Sequence, residues 1–227
     1  MYAVINLYND CQFLAACLEG IKQYVSGIVV ADGAYELYFR EYKKLFPRAE
    51  PFSTDGSLEI IKALDLPPWR IITNNREPWL NQTVKRNALI DAVPDGEWFL
   101  IIDADEGLLG HIEAAFREIE ESGCVVAQMP FVNLGADLDR MQYFWHPRVF
   151  LKTRGMRYDQ THWQLYDWAG RIIENTYPIW WTQTCVMVHF KLLKAQNRLE
   201  PHQRYMDKLG YRGWAEPDRE VLERKEF

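Results

Sequence analysis

Short unbroken apolar runs alternate with stretches of helical periodicity through the first half of this chain. Tyr2–Leu7, Gly27–Gly33, Trp69–Thr73 and Cys124–Met129 have the length and Val/Ile content of strands covered on both faces. The run from Glu97 to Ile102 has the same character and ends in Asp103-Ala104-Asp105-Glu106. Between these runs Phe13, Leu14, Cys17, Leu18, Ile21 and Val25 recur at helical spacing, which predicts a helix over Gln12–Tyr24. Further helices are predicted over Tyr35–Leu45, from Ser53-Thr54-Asp55-Gly56-Ser57 onward with Leu58, Ile61 and Leu64, and over His111–Ser122 with Ile112, Ala115, Phe116 and Ile119 on one face. Asn81–Ala92 reads as another, with Val84, Ala88, Leu89 and Ala92 inward, closed by Pro94-Asp95-Gly96. Strand, helix and strand in regular succession predict βαβ units in an α/β fold with a mainly parallel sheet.

The regularity stops after the fifth strand. Residues 133–146 read as a polar loop, then strands follow at Val149–Lys152, around Leu165 and over Trp180–Val188. Leu192–Leu209 has helical character broken by Pro201, and 210–227 is a charged tail. The expectation is one domain over 1–209 followed by that tail.

Composition narrows the functions. A net charge of −6 argues against a nucleic-acid binder, which needs a basic face. No run approaches the ~20 apolar residues of a membrane span, with peripheral membrane contact left open. Cys11, Cys17, Cys124 and Cys185 form no CxxC pair, and the last three lie in apolar runs; they read as reduced thiols in a cytoplasmic protein. Nine Trp and twelve Tyr supply either a heavy aromatic core or stacking platforms for sugars and bases.

Candidate chemistry collects at predicted strand ends: Tyr8 and Asn9 after the first, Asp32 after the second, Asp103 and Asp105 after the fourth. In a sheet of order 3-2-1-4 these would share the edge where open α/β sheets bind ligands. Two carboxylates spaced i, i+2 at a turn can converge on one hard divalent ion, or can simply be solvated turn residues. Asp32 could accept from a base or ribose, or could only cap a turn.

Together these residues resemble the GT-A-fold nucleotide-sugar glycosyltransferases of the large inverting family 2 class. Val4–Asp10 with Leu14, Cys17 and Leu18 looks like the opening strand and helix of that family. Ile28–Gly33 followed by Ser53–Ser57 looks like its acid and S-x-D-G-T stretch, here split by Ala34–Phe52. Lys85-Arg86-Asn87 is similar to its basic helix, and Asp103–Glu106 to its D-x-D motif. Arg148-Val149-Phe150 with Gly155, Tyr158 and His162, then Val188-His189-Phe190, resemble its later segments.

The resemblance implies a GT-A sheet whose donor half is 1–132 and whose β-rich acceptor half and closing helix are 133–209. It implies transfer of a sugar from a nucleoside diphosphate sugar, by default uridine-linked, to a saccharide or other hydroxyl acceptor. It also implies a divalent metal, Mn2+ or Mg2+, on Asp103, Asp105 and His189, and nucleotide contacts from Tyr8, Asn9, Asp32, Lys85, Arg86 and Asp103. His162, Trp163 and Trp168 would face the acceptor. The family places Glu directly after His162; Trp163-Gln164 stand here instead, so Asp159 and Asp167 become the candidate bases, with Asp137 and Asp139 next. Asn87 is expected to bond the loop after Asp32, and the basic bias of Lys191, Lys194, Arg198, Arg204 and Lys208 to be a solvated face or to meet an anionic acceptor. The alternatives are a nucleotide-sugar or carbohydrate-binding module without turnover, and a sugar-phosphate nucleotidyltransferase.

Overall fold

The computed structural model describes residues 1–134, 142–159 and 163–190, together with 193, 194, 200, 204, 205 and 208. Expectations on Asp137, Asp139, His162, Lys191, Arg198 and the tail 210–227 lie outside the described residues, as does most of the 192–209 stretch.

The chain runs β1 (Tyr2–Leu7), α1 (Cys11–Ile21), β2 (Gly27–Asp32), α2 (Glu36–Leu45), α3 (Ser57–Ala63), β3 (Trp69–Ile72), α4 (Gln82–Asp91) and β4 (Trp98–Asp103). It continues β5 (Glu106–Gly110), α5 (Ile112–Glu121), β6 (Val126–Asn133), β7 (Gln142–Leu151), β8 (Arg157–Tyr158), β9 (Leu165–Tyr166), α6 (Ile173–Thr176), β10 (Ile179–Trp181) and β11 (Cys185–His189). One mixed sheet takes strands from both halves in the order β3-β2-β1-β4-β7-β6-β11-β5, with β10 beside β6. Its first four strands are parallel and in the order 3-2-1-4 under which the candidate residues would share an edge. β7 is antiparallel to both β4 and β6, and β5 is antiparallel to β11.

Period-two alternation sorts the strand side chains into two cores. Ile5, Leu7, Val30, Leu100 and Ile102 face α1, α3 and α5, which bring Leu14, Leu18, Ile21, Ile61, Phe116 and Ile119. Val4, Val29, Ala31, Phe99 and Ile101 face α4 with Leu89 and Ile90, and Met156, Tyr158, Leu165 and Ile173 from the second half. Helices therefore lie on both sides of an α/β sheet.

Four expectations need correction. Glu106–Gly110, where no strand is expected, is strand β5; a charged first residue and two glycines hide it until β11 pairs along its length. β7 begins at Gln142, inside the expected polar loop, because β6 supplies a long ladder from Asn133 back to Val126. The expected strand over Trp180–Val188 is two, β10 and β11, each parallel to β6 at a different register. On α4, Ala88, Leu89 and Ala92 pack on the core as expected, but Val84 is 41% exposed while Lys85 and Arg86 are buried. Polar partners below those two cations outweigh the apolar count.

Candidate functional site

β1 ends between the two strands whose acids were singled out. Leu7 is in register with Asp32 of β2, and Asn6 with Asp103 of β4. Asp32 and Asp103 are thus about 10 Å apart, two strand spacings. They project to opposite faces: Asp32 has the parity of Val30, toward α1, and Asp103 that of Ile101, toward α4.

The loop before α3 is fastened onto the β1–α1 turn. Asp32, only 1% exposed, accepts from Ser53 Oγ at 2.5 Å and from Ser53 N at 3.1 Å. Asn9 N donates to Ser53 Oγ at 2.7 Å, and Asn9 Oδ1 accepts from Thr54 N at 2.7 Å. Asn9 has φ 47°, a left-handed conformation that Asn tolerates. Asp10 N donates to Ser57 Oγ, and Cys11 N to Asp55 Oδ2. Asp55 thereby caps two helices, holding Ser57 N with Oδ1 as well. Burial opposes its ionisation, but the bonds from Ser57 and Cys11 win and lower its pKa. The insertion between Asp32 and Ser53 leaves this contact intact. It contributes α2, whose Tyr38 and Tyr42 pack edge-on to Tyr8, and Tyr8 Oη donates to Glu50 O at 2.8 Å. A cavity of about 450 Å³ opens beside Asn9 and Thr54, walled by Tyr42, Phe46 and Arg48.

The acidic turn joins β4 to β5. Asp103 N donates to Glu106 Oε2 at 2.8 Å, and Glu106 Oε1 accepts from Arg148 Nη2 at 2.7 Å. Burial pushes the Glu106 carboxyl up; Arg148 pulls against it. Asp103 meets Arg86 Nη2 at 3.4 Å. Asp105 goes elsewhere: its Oδ2 lies 3.0 Å from His189 Nε2 and 2.8 Å from Lys194 Nζ. Burial opposes the charge, yet His189 and Lys194 hold Asp105 well below the usual carboxylate range. Lys194 Nζ also reaches Asp10 Oδ2 at 2.6 Å. His189 is placed by β11, where it pairs with Glu106, and its Nδ1 lies 2.8 Å from Asn133 Oδ1.

Helix α4 carries the other cations. Asn81 caps it by accepting from Val84 N. Lys85, 1% exposed, donates to the carbonyls of Leu7 and Gly33, so its ammonium ties β1 to β2 instead of facing a phosphate. Burial pulls it down to about 7, against the opposing pull of Asp32. Arg86 is buried, and its Nε has no partner among the described residues. Burial disfavours its charge, but Asp103 outweighs that and raises its pKa. Asn87 clamps the backbone of Tyr158 through both amide atoms at 2.7 and 2.9 Å, not the loop after Asp32 as expected.

In the second half Asp159 follows that clamp and is half-buried. Asp167 is fully engaged: Ala169 N and Arg171 N donate to Oδ1, Arg171 Nε and Tyr177 Oη to Oδ2. Those bonds, led by the Arg171 backbone, lower its pKa to about 2. Trp168 is 76% exposed, and Trp163 half-buried. Trp181 is exposed and packs edge-on to Trp145, while Trp180 leans on the core.

Asp103, Asp105 and His189 are therefore not gathered on one point. Among the described residues no three His, Cys, Asp or Glu stand arranged to hold an ion as they are. The point where Asp105 and Asp10 converge beside His189 is taken by an ammonium. Two carboxylate oxygens converging on a cationic centre are nevertheless donors that a hard divalent ion takes, so Asp10 and Asp105 fit one at the place of Lys194 Nζ, with His189 bonded to the Asp105 carboxylate. Asp10, Lys194, Glu106 and Arg148 were missed as site residues. Asp10 follows Asn9 directly and Glu106 closes the D-A-D-E run; Lys194 carries no sequence signal beyond a basic bias.

The four cysteines are free, Cys17 and Cys185 buried and the other two half-buried. No helix among the described residues is long and apolar enough to cross a membrane. No protein-family model matches the chain, and no curated protein matches it significantly.

Proposed function

We propose that this protein is a glycosyltransferase that moves a sugar from a nucleoside diphosphate sugar, uridine-linked by default, to an acceptor hydroxyl with inversion. The observation that supports it most is the acidic turn at the carboxyl end of β4, beside the ends of β1 and β2 in a 3-2-1-4 parallel order. Ligands bind at that edge in open α/β sheets. The unpartnered Nε of buried Arg86, next to Asp103, is a donor suited to a phosphate oxygen.

In this reading the acceptor oxygen attacks the anomeric carbon while the bond from that carbon to the diphosphate oxygen breaks. The electron pair leaves with the diphosphate, and Arg86 and Lys194 meet the charge that develops there. A divalent ion, when bound, would neutralise the same charge; Asp105, His189 and Asp10 are the residues that would hold it. The acceptor proton goes to Asp159, which the Asn87–Tyr158 clamp ties to the helix bearing Arg86. Asp167 is the weaker candidate, because four donors occupy its oxygens and a carboxylate near pKa 2 is a poor base at neutral pH.

A second reading, a nucleotide-sugar-binding module without turnover, is favoured by that engagement of Asp167 and by Trp163-Gln164 standing after His162. Thermal shift with a panel of nucleoside diphosphates, with and without Mn2+, tests the donor site. A ligand at a hundredfold its Kd stabilises by about 2.7 kcal/mol, or roughly 5–10 °C for a domain of this size. Release of nucleoside diphosphate from a donor panel then separates enzyme from module: turnover abolished by Asp105→Asn supports the enzyme. A chain whose melting point no nucleotide moves under either condition is not a nucleotide-sugar protein.

A further inference from the structure

Lys194 sits where a basic residue of a surface helix would not be expected. Its side chain is 14% exposed, and its ammonium bridges Asp10, at the end of β1, to Asp105, after β4. The preceding residues are anchored independently. Phe190 N donates to Asp105 O at 2.8 Å, the Phe190 ring stacks on Phe13 at 5.2 Å, and Gln12 Nε2 donates to Leu193 O at 3.1 Å. Phe190 and Leu193 are thus held against the start of α1, and Lys194 meets the acids beside them. The oxygen it contacts on Asp105, Oδ2, is also the one that His189 contacts.

We propose that Lys194 is a tethered counter-ion of this site, and that a divalent cation enters only by displacing its ammonium from Asp10 and Asp105. The inference rests on the glycosyltransferase reading only in taking a divalent ion as the visitor. The argument is one of shared ligands. A metal bonded to Asp105 Oδ2 and an ammonium donating to the same oxygen cannot both occupy the gap facing Asp10. Held by its own chain, the ammonium competes at high effective concentration, so the ion's apparent affinity is reduced by the fraction of molecules in which Lys194 is in place. Opening the gap also frees the Lys194 ammonium beside the start of α1, as a donor for an incoming diphosphate. Metal entry and donor binding would then be coupled through one side chain.

Titration of the full chain with Mn2+ alone, followed by the loss of the free-ion EPR signal, reads this directly. Lys194→Met is expected to bind Mn2+ at least tenfold more tightly than the unaltered protein, and Lys194→Arg no more tightly. Equal affinity in Lys194→Met and the unaltered protein overturns the tether while leaving the metal site standing. No binding by either overturns both, and a nucleoside diphosphate thermal shift in EDTA then decides separately whether the donor site survives. If Lys194→Met does not fold, acetic anhydride labelling of the unaltered protein gives the same answer. Lys194 should label slowly alone and at least fivefold faster with saturating Mn2+; a rate indifferent to Mn2+ overturns the proposal.

Discussion

Lys85 shows how a charged side chain comes to lie inside a helix face that an apolar count would turn outward. It sits beneath the ends of β1 and β2, where its ammonium donates to Gly33 O and is a second donor to Leu7 O, which also accepts from Gly33 N. Hydrogen bonds from a charged donor contribute about 1.5–3 kcal/mol, so an inward ammonium is tolerated where it makes two. Lys85→Met should lower stability by about 1–3 kcal/mol near pH 7, the loss of both bonds being partly offset by removal of a buried charge. The pH dependence distinguishes the terms. A base whose pKa falls to about 7 on folding binds fewer protons folded than unfolded between there and its unfolded value. Stability therefore rises with pH across that window, up to about 10.4. Urea titrations at pH 7 and pH 9 should show the rise in the unaltered protein and a smaller one in Lys85→Met.

At the scale of elements, the residues expected to bind nucleotide are also the fasteners of the fold. Ser53 bonds both Asp32 and Asn9, and through them the loop before α3 sets the turn that presents Asp10. Ser53→Ala should cost about 2–3 kcal/mol, since it leaves a buried carboxylate short of a donor. Thr54→Ala should stay within about 0.5 kcal/mol, because Thr54 contributes only its backbone N–H and its side chain is exposed. Chemical denaturation of the two variants checks the contrast. These contacts also mark how far the sequence could be read. The parallel strands and most helices follow from period and run length, which burial alone enforces, whereas the 3-2-1-4 order is a supposition that neither determines. The inward turn of Lys85 and Arg86 and the destinations of Asn87 and Lys194 depend on polar partners distant in the chain, and periodicity carries no information about those. β5 was hidden for a related reason: Glu106 faces inward to Arg148, so the strand shows a charge where an alternation test expects an apolar residue.

The whole sheet, finally, assembles the site from segments far apart in sequence. Asp105 and His189 are 84 residues apart and meet only because β5 and β11 pair antiparallel, with Glu106 opposite His189 and Gly110 opposite Cys185. The far end of that ladder is held by a close backbone approach. Gly110 has φ 108°, and a Cβ there would fall 2.6 Å from Thr184 O, the carbonyl that also accepts from His111 N. Gly110→Ala must therefore push β11 away from β5, strain the backbone, or both, at about 2–4 kcal/mol. Gly96 is the control: its φ is 87°, but nothing lies within 4 Å of its missing Cβ, so Gly96→Ala carries the backbone strain alone, about 1 kcal/mol. The excess loss in Gly110→Ala measures how firmly this ladder is seated. The same displacement should reach His189, four residues along β11 from Cys185. In NMR spectra the His189 imidazole signals should move in Gly110→Ala and hold still in Gly96→Ala. Unmoved signals in both would mean that His189 is positioned by Asn133 and Asp105 rather than by the register of the sheet.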